Sequence, residues 1–401
     1  MKPGKCLLAT ATTLLLATLT AGINPVAAAE GKLPMWERHA IPLPGSIWSV
    51  ESIDANADGK LDLIAMGETK VFALMAPEWK LHELVDTKEP KMLYCVALDA
   101  DADGDSDVVV ARYQAPWIEF RKARDAGKDV QEPKGPDFSV AWIENKGNVD
   151  REWNLHVLDR ELNGIHGLWT GDVNADGTKD LLADSIMGPQ FPKSLAWFQF
   201  PTARSHTFTR HIISKEGADG RPHYLDFADL NGDGRGDLLV GDSGGGTFTW
   251  WENPGTTNSA WAKHQIAKEN GATNIKAADV NRDGKLDVIA SSGHGKGVFW
   301  FEAPDWKKNV IDAELRDPHA LAIGDFDNDG DTDVATASFT AFVVRWYRND
   351  GKGSFTSFDI DTDNKQQAYD LKAVDIDGDG RLDLILAGRE SRNAVLYRNR
   401  K

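Results

Sequence analysis

Cysteine is scarce: the 401-residue chain has two, Cys6 and Cys95. Cys6 falls in a segment that reads as a cleaved leader, so Cys95 stands alone afterwards and an intramolecular disulfide is excluded. Long apolar runs are scarce too. The run "CLLATATTLLLATLTAGI" follows the basic start "MKPGK" and precedes "PVAAAE", where Ala27-x-Ala29 before Glu30 fits a small-residue cleavage site. Residues 1–29 are therefore expected to be a secretory signal, and the product to be secreted or periplasmic. Cys6 directly follows Lys5 inside that signal, which does not suit a lipoprotein cysteine. Past it no apolar span remains, so no membrane insertion is expected after cleavage. Basic residues form no stripe, which argues against nucleic acid as a partner. Nucleophile elbow, phosphate loop and dinucleotide fingerprint are all missing, and no carboxylate pair stands out for glycoside hydrolysis.

Aspartate is what the chain has in excess. Its formal charge is −17, and one nine-residue pattern accounts for most of the surplus. In "VDIDGDGRLDLILAG", Asp375, Asp377 and Asp379 alternate, and Gly380 permits the bend that turns their carboxylates inward, an oxygen-rich shell suited to a hard cation such as Ca2+. An EF-hand would need Glu at position twelve; Leu386 is there, and a strand-like run follows. The pattern recurs seven times, beginning at Asp54, Asp99, Asp172, Asp229, Asp279, Asp325 and Asp375. Positions one, five and nine are always Asp, position six Gly, and position three Asp or Asn.

These repeats resemble the FG-GAP or VCBS repeats of integrin-like β-propellers, and the resemblance covers nearly all of residues 30–401. It implies an all-β, seven-bladed β-propeller with a calcium loop between the first two strands, A and B, of each blade, closed by the N-terminal strand joining the last blade. Carried over position by position, the implied ligands are Asp54, Asn56, Asp58 and Asp62; Asp99, Asp101, Asp103 and Asp107; Asp172, Asn174, Asp176 and Asp180; Asp229, Asn231, Asp233 and Asp237; Asp279, Asn281, Asp283 and Asp287; Asp325, Asp327, Asp329 and Asp333; and Asp375, Asp377, Asp379 and Asp383. A carbonyl is expected at position seven. Up to seven structural Ca2+ follow. Without Lys2 and Lys5 the charge is −19, and seven Ca2+ would bring it to about −5. The "RGD" at 235–237 ends on a loop ligand, Asp237, which argues against an adhesion motif.

Motif starts are 45, 73, 57, 50, 46 and 50 residues apart, room for four short strands each. An aromatic-x-x-His-like unit precedes each loop: Trp36/His39, Trp79/His82, Trp153/His156, Phe208/His211, Trp261/His264, Trp306/Asn309 and Phe355/Phe358. It reads as outer strand D, and "WIEN", "WWENPG", "FWFEAP" and "RWYRND" as strand C with its turn. The chain ends on a strand C, so "MWERHAI" is expected to supply the missing outer strand and seal that edge. Residues 114–137 interrupt blade 2 as a charged insertion, either a solvated loop with one helical turn or a flap over a site.

The register also sorts the histidines. Those in strand D repeat around the ring and read as fold residues. His166, His223 and His319 instead open strand A, six residues before their loops, and should meet at the channel mouth opposite the calcium loops. The turns between strands B and C rise to that face, bringing Arg112, Tyr113, Asp184, Asp242, His294 and Arg389; Tyr369 occupies the histidine position in blade 7. Such a mouth suits a carbohydrate or protein ligand, with a further divalent metal on the three histidines as an option. The protein is expected to be a monomer. Trp48, Trp117 and Trp169 fall outside the repeat register and are candidate stacking platforms. The propeller also resembles that of aldos-2-ulose dehydratase and ulvan lyases, which implies β-elimination as the alternative: a histidine base, Arg112 or Arg389 as neutraliser, Tyr113 or Tyr369 as acid.

Overall fold

The run that follows each loop is a strand whose first residue is the ninth aspartate: Asp62–Gly67, Asp107–Arg112, Asp180–Ser185, Asp237–Asp242, Asp287–Ser291, Asp333–Ser338 and Asp383–Gly388. These B strands are buried along their whole length because both faces are covered, and so read as apolar runs rather than alternations. The outer strands, such as Lys80–Asp86 and Ala262–Lys268, expose one side.

In this computed structural model residues 35–88, 92–113, 115–133, 136–162, 164–185, 194–214, 221–257 and 259–400 are described; the expected signal lies outside them. Leu33–Lys401 forms one unit. Among the described residues are seven four-stranded antiparallel sheets, six of consecutive strands. In the seventh, Met35–Pro42 pairs with Asn393–Arg400, from Met35 opposite Arg400 to Pro42 opposite Asn393. The innermost strands are Ile47–Ile53, Met92–Leu98, Leu168–Gly171, Pro222–Ala228, Asn274–Ala278, Pro318–Gly324 and Ala368–Val374. Each touches the next around a closed circle, blade 7 against blade 1. The fold is a seven-bladed β-propeller.

The outer-strand histidines have a packing role. His156, His211 and His264 each stack on the strand C tryptophan of their own blade, Trp142, Trp197 and Trp250, with centroids 4.3 Å apart; in blade 6 Phe358 does the same on Trp346 at 4.9 Å. The insertion is more ordered than a single turn: Ala115–Asp125 is an 11-residue helix, tied through Arg121 to Asp137 at 2.5 Å. Trp117 is buried against Phe120, so it offers no open stacking face.

The asparagine that ends several C strands links blades. Asn349 Nδ2 donates to Val280 O of blade 5 at 2.8 Å and to Thr332 O of its own blade at 3.1 Å, both buried or nearly so. Asn145, Asn253 and Asn399 do the same one blade back. Asn349→Ala strands two carbonyls and should cost about 1–3 kcal/mol. Urea unfolding would read this as a lower midpoint with an unchanged slope, and an unmoved midpoint would refute the role.

Candidate functional site

Strand A carries the residue six positions before each loop to one end of the channel, and there the structure assembles a cavity of about 480 Å3. It is lined by His166, His223, His294, His319, Tyr369, Arg221, Arg389 and Phe339, with Ser243 and Gly244. His223 and His319 are 4% and 2% exposed, so these imidazoles belong to the interior as much as to the mouth.

The rings touch in sequence. His166 and His223 have centroids 4.6 Å apart, His223 and His319 4.9 Å, and His319 and Tyr369 4.9 Å. His223 Nε2 lies 3.1 Å from His294 Nε2, His319 Nδ1 lies 3.2 Å from Tyr224 Oη, and Tyr369 Oη lies 3.4 Å from His166 Nδ1. His223, His294 and His319 each present one ring nitrogen within 4.8 Å of the others. His294 reaches this position on a turn whose glycine packs closely: a Cβ on Gly293 would lie 2.4 Å from Thr273 Oγ1 and 2.8 Å from His319 Cα.

Burial is the first cause of the charge state here. It pushes His166 down to about 4 and His319 to about 3, with neighbouring imidazoles adding to it, and holds His223 well below the ordinary histidine range. His294 is lowered for the same reason. At neutral pH the cluster is therefore four uncharged imidazoles, which offer lone pairs rather than positive charge. Burial likewise raises the Tyr369 hydroxyl, which stays protonated. Positive charge at the mouth comes from Arg221 and Arg389, the latter 4.3 Å over the indole of Trp48. Arg389 thus covers one face of the Trp48 indole, Tyr369 packs T-shaped against it at 4.8 Å, and the residue as a whole is buried, which does not suit an open stacking platform.

Two expected members stay away. Arg112 is 1% exposed, donates through Nε to Phe138 O at 2.8 Å and bonds Pro136 O; its guanidinium sits 4.1 Å over Phe138. It holds the end of the insertion. Tyr113 packs beside the core shared by blades 1 and 2 and does not line the cavity. Arg221 and Phe339 were not anticipated. Phe339 directly follows strand B of blade 6, a position the repeat register does define; Arg221, two residues before His223, lies in an irregular link where no register applies. Asp184 and Asp242 serve the backbone: Asp184 accepts His166 N–H at 2.9 Å, and Asp242 accepts Arg221, Gly244 and Gly245 N–H at 2.6, 3.0 and 2.8 Å. Burial holds Asp184 well above the usual carboxylate range.

At the other end the seven aspartate loops share one geometry. In each, the first carboxylate accepts the N–H groups of positions five and six, as Asp229 does from Asp233 at 2.9 Å and Gly234 at 2.8 Å. The ninth carboxylate accepts the N–H of position two and one from the end of strand C, as Asp237 does from Leu230 at 3.2 Å and Asn253 at 2.8 Å. Position three divides the set. Asn56, Asn174 and Asn231 donate to the carboxylate at position five. Where it is Asp, an arginine from outside the nine residues meets the added charge: Arg348 on Asp327 at 2.6 Å, Arg400 on Asp377 at 3.0 Å, and Arg204 near Asp101 at 3.9 Å, with the imidazole of His206 at 3.6 Å. Asp101 is 1% exposed and neither carboxylate oxygen has a hydrogen-bond donor, so the carboxylates fit a cation.

In protein freed of transition metal but kept in calcium, the buried histidines set a pH dependence. The unfolded chain takes up protons near pH 6.5, the folded chain only near pH 3 at His319, so stability is complete above about 6.5 and drains as pH falls below it. The loss at pH 5.5 should be about 1 kcal/mol per buried histidine. Urea midpoints at pH 7.5 and 5.5 measure it, and His319→Gln should flatten the difference; an equal slope in that variant would contradict the neutral cluster.

Residues 229–290 and 325–386 match the FG-GAP-like repeat family. No curated protein matches the chain. Among solved structures it is similar to one titled "Streptogramin B lyase structure", with TM-score 0.59 and 12% identity over 93% of this chain and 100% of that one, a likeness of fold alone. The chain carries FG-GAP-like repeats, built into a seven-bladed β-propeller.

Proposed function

We propose that this is an exported, calcium-stiffened propeller that binds an acidic carbohydrate at the histidine mouth. The observation that carries the reading is the convergence of four neutral imidazoles, a protonated tyrosine and two arginines on one cavity of small-ligand size. Arg221 and Arg389 would take the carboxylate, Phe339 would face an apolar sugar face, and the imidazoles would bond hydroxyls. His223, His294 and His319 also fit a divalent metal of the zinc class: all three are neutral, and Tyr224 Oη, held at His319 Nδ1, fixes the orientation of that ring. A bound metal would supply a Lewis acid for a ligand oxygen.

The second reading is β-elimination from a uronate, and the contact between Tyr369 Oη and His166 Nδ1 favours it. An uncharged His166 can take a proton, Tyr369 can give one to the leaving oxygen, and the arginines neutralise the adjacent carboxylate. Incubation with acidic and neutral polysaccharides, followed by ultraviolet absorbance of the new conjugated double bond, separates the two. A rise that His166→Ala abolishes establishes the lyase. Retention on an immobilised acidic glycan without any rise establishes the binding module, and neither result refutes the mouth as the site. His294→Ala should lower zinc content, read by elemental analysis, without lowering calcium content.

The calcium loops serve as glue in this reading, since strands rather than a movable helix pair flank them. Chelation of calcium should lower the melting temperature with cooperative loss of β structure. An unchanged melting curve would rule the role out.

A further inference from the structure

A second cavity, of about 280 Å3, lies further along the channel, lined by residues that immediately precede the calcium loops, among them Asp226, Phe227, Ala277 and Ala373. Tyr224 marks its division from the mouth: the hydroxyl is bound to His319 Nδ1 and to Tyr369 O, while the residue also lines this inner cavity, T-shaped against Tyr94. Five of the residues three positions before a loop, Trp169, Asp226, Lys276, Ala322 and Lys372, line it, and two of them are lysines.

Lys276 is 9% exposed. Its Nζ lies 3.5 Å from the centroid of Trp169, which explains why that indole is no open sugar platform. The protein offers this ammonium one carbonyl, Leu225 O at 3.4 Å, and one carboxylate, Asp226 at 3.8 Å. Lys372 Nζ has Glu51 at 3.4 Å and lies 5.8 Å from the same indole. The carboxylates are better served: Asp370 accepts Ser49 Oγ–H at 2.7 Å, Val50 N–H at 3.2 Å and Tyr94 Oη–H at 3.3 Å, and Asp226 accepts Ala277 N–H at 2.8 Å. The three N–H bonds of Lys276 thus face few and long acceptors, and the acids around them are already hydrogen-bonded, whereas, against its burial, Asp370 and Glu51 hold the Lys372 ammonium well above the ordinary lysine range and keep it charged. Burial also pushes Lys276 down to about 8, as expected where an ammonium is under-compensated.

We propose that this inner cavity is a second binding site that takes a small monocarboxylate between the Lys276 and Lys372 ammonium groups, with Trp169 as its wall. Glu51, Asp226 and Asp370 outnumber the lysines by one, so unfilled donors rather than net charge select the ligand, which favours a monoanion over a phosphate dianion. The site stands apart from the mouth and does not depend on what the mouth binds.

Calorimetry at pH 8 with lactate, gluconate, inorganic phosphate and sulfate, in two buffers of different ionisation heat, tests it. The carboxylates should bind with proton uptake, because Lys276 is partly deprotonated at that pH. Lys276→Met should weaken binding about tenfold or more and abolish the uptake. Should Lys276→Met fail to fold, the 13C signal of the dimethylated Lys276 in the otherwise unaltered protein reads the same event, its titration moving to higher pH with ligand. No heat with any probe, equal affinity in the variant, or preference for phosphate would each overturn the assignment.

Discussion

The ninth aspartate of each loop is the constraint on which the rest hangs. It starts strand B, and its two oxygens are bound to backbone, one to the second residue of the loop and one to the end of strand C: Asp62 to Ala55 and Ala76, Asp333 to Phe326 and Asn349, Asp383 to Ile376 and Asn399. One side chain thus sets the loop, the start of the central strand and the far end of its neighbour. Burial pushes these carboxyls up, Asp107 to about 8 and Asp180 and Asp333 to about 7. A group that resists charging is best charged beside a cation, so a cation bound at the loop would be coupled to the frame at that corner. Where strand C ends in Asn, the same residue passes the connection to the preceding blade, so loop, blade and ring share one hydrogen-bond chain.

That repeated frame frees the innermost strand. Around the ring the residue six positions before the loop varies among His166, His223, His319, Tyr369, Trp48, Leu93 and Thr273, and the residue three positions before it includes Trp169, Asp226, Lys276, Lys372 and Glu51. Closure of the ring, not any one blade, brings these together: Tyr224 of blade 4 reaches His319 of blade 6 and the backbone of Tyr369 in blade 7. Seven near-equal blades hold the scaffold, and the residues that differ between blades lie on the axis.

The blade count, the closing strand and the histidine mouth were legible because each rests on register. A signal repeated seven times places its neighbours, and His166, His223 and His319 could be counted back from their loops. Arg112 misled because register gives the height of a residue and not its direction; the insertion returns two carbonyls, Pro136 and Phe138, that capture its guanidinium. Lys276 and Lys372 were illegible for another reason. In one strand each reads as a solvent lysine between apolar neighbours, and only the closed ring buries it against Trp169.

Position three of the loops shows the same economy of charge at the aspartate end. Four loops carry Asn there and three carry Asp. Each Asp is met by an arginine from outside its loop, Arg348, Arg400 or Arg204, whereas Asn56, Asn174 and Asn231 are satisfied inside their own loops. The added carboxylate and the added cation cancel, so the loops approach equal charge toward a metal despite unequal sequence. Position seven extends the pattern: Asp331 has Arg282 at 2.5 Å, while Asp105, in the loop served by Arg204 and His206, is pushed up by burial and by its aspartate neighbours to about 6. Loop two is therefore the one whose negative charge is least answered by the protein, and a divalent cation there relieves the most repulsion.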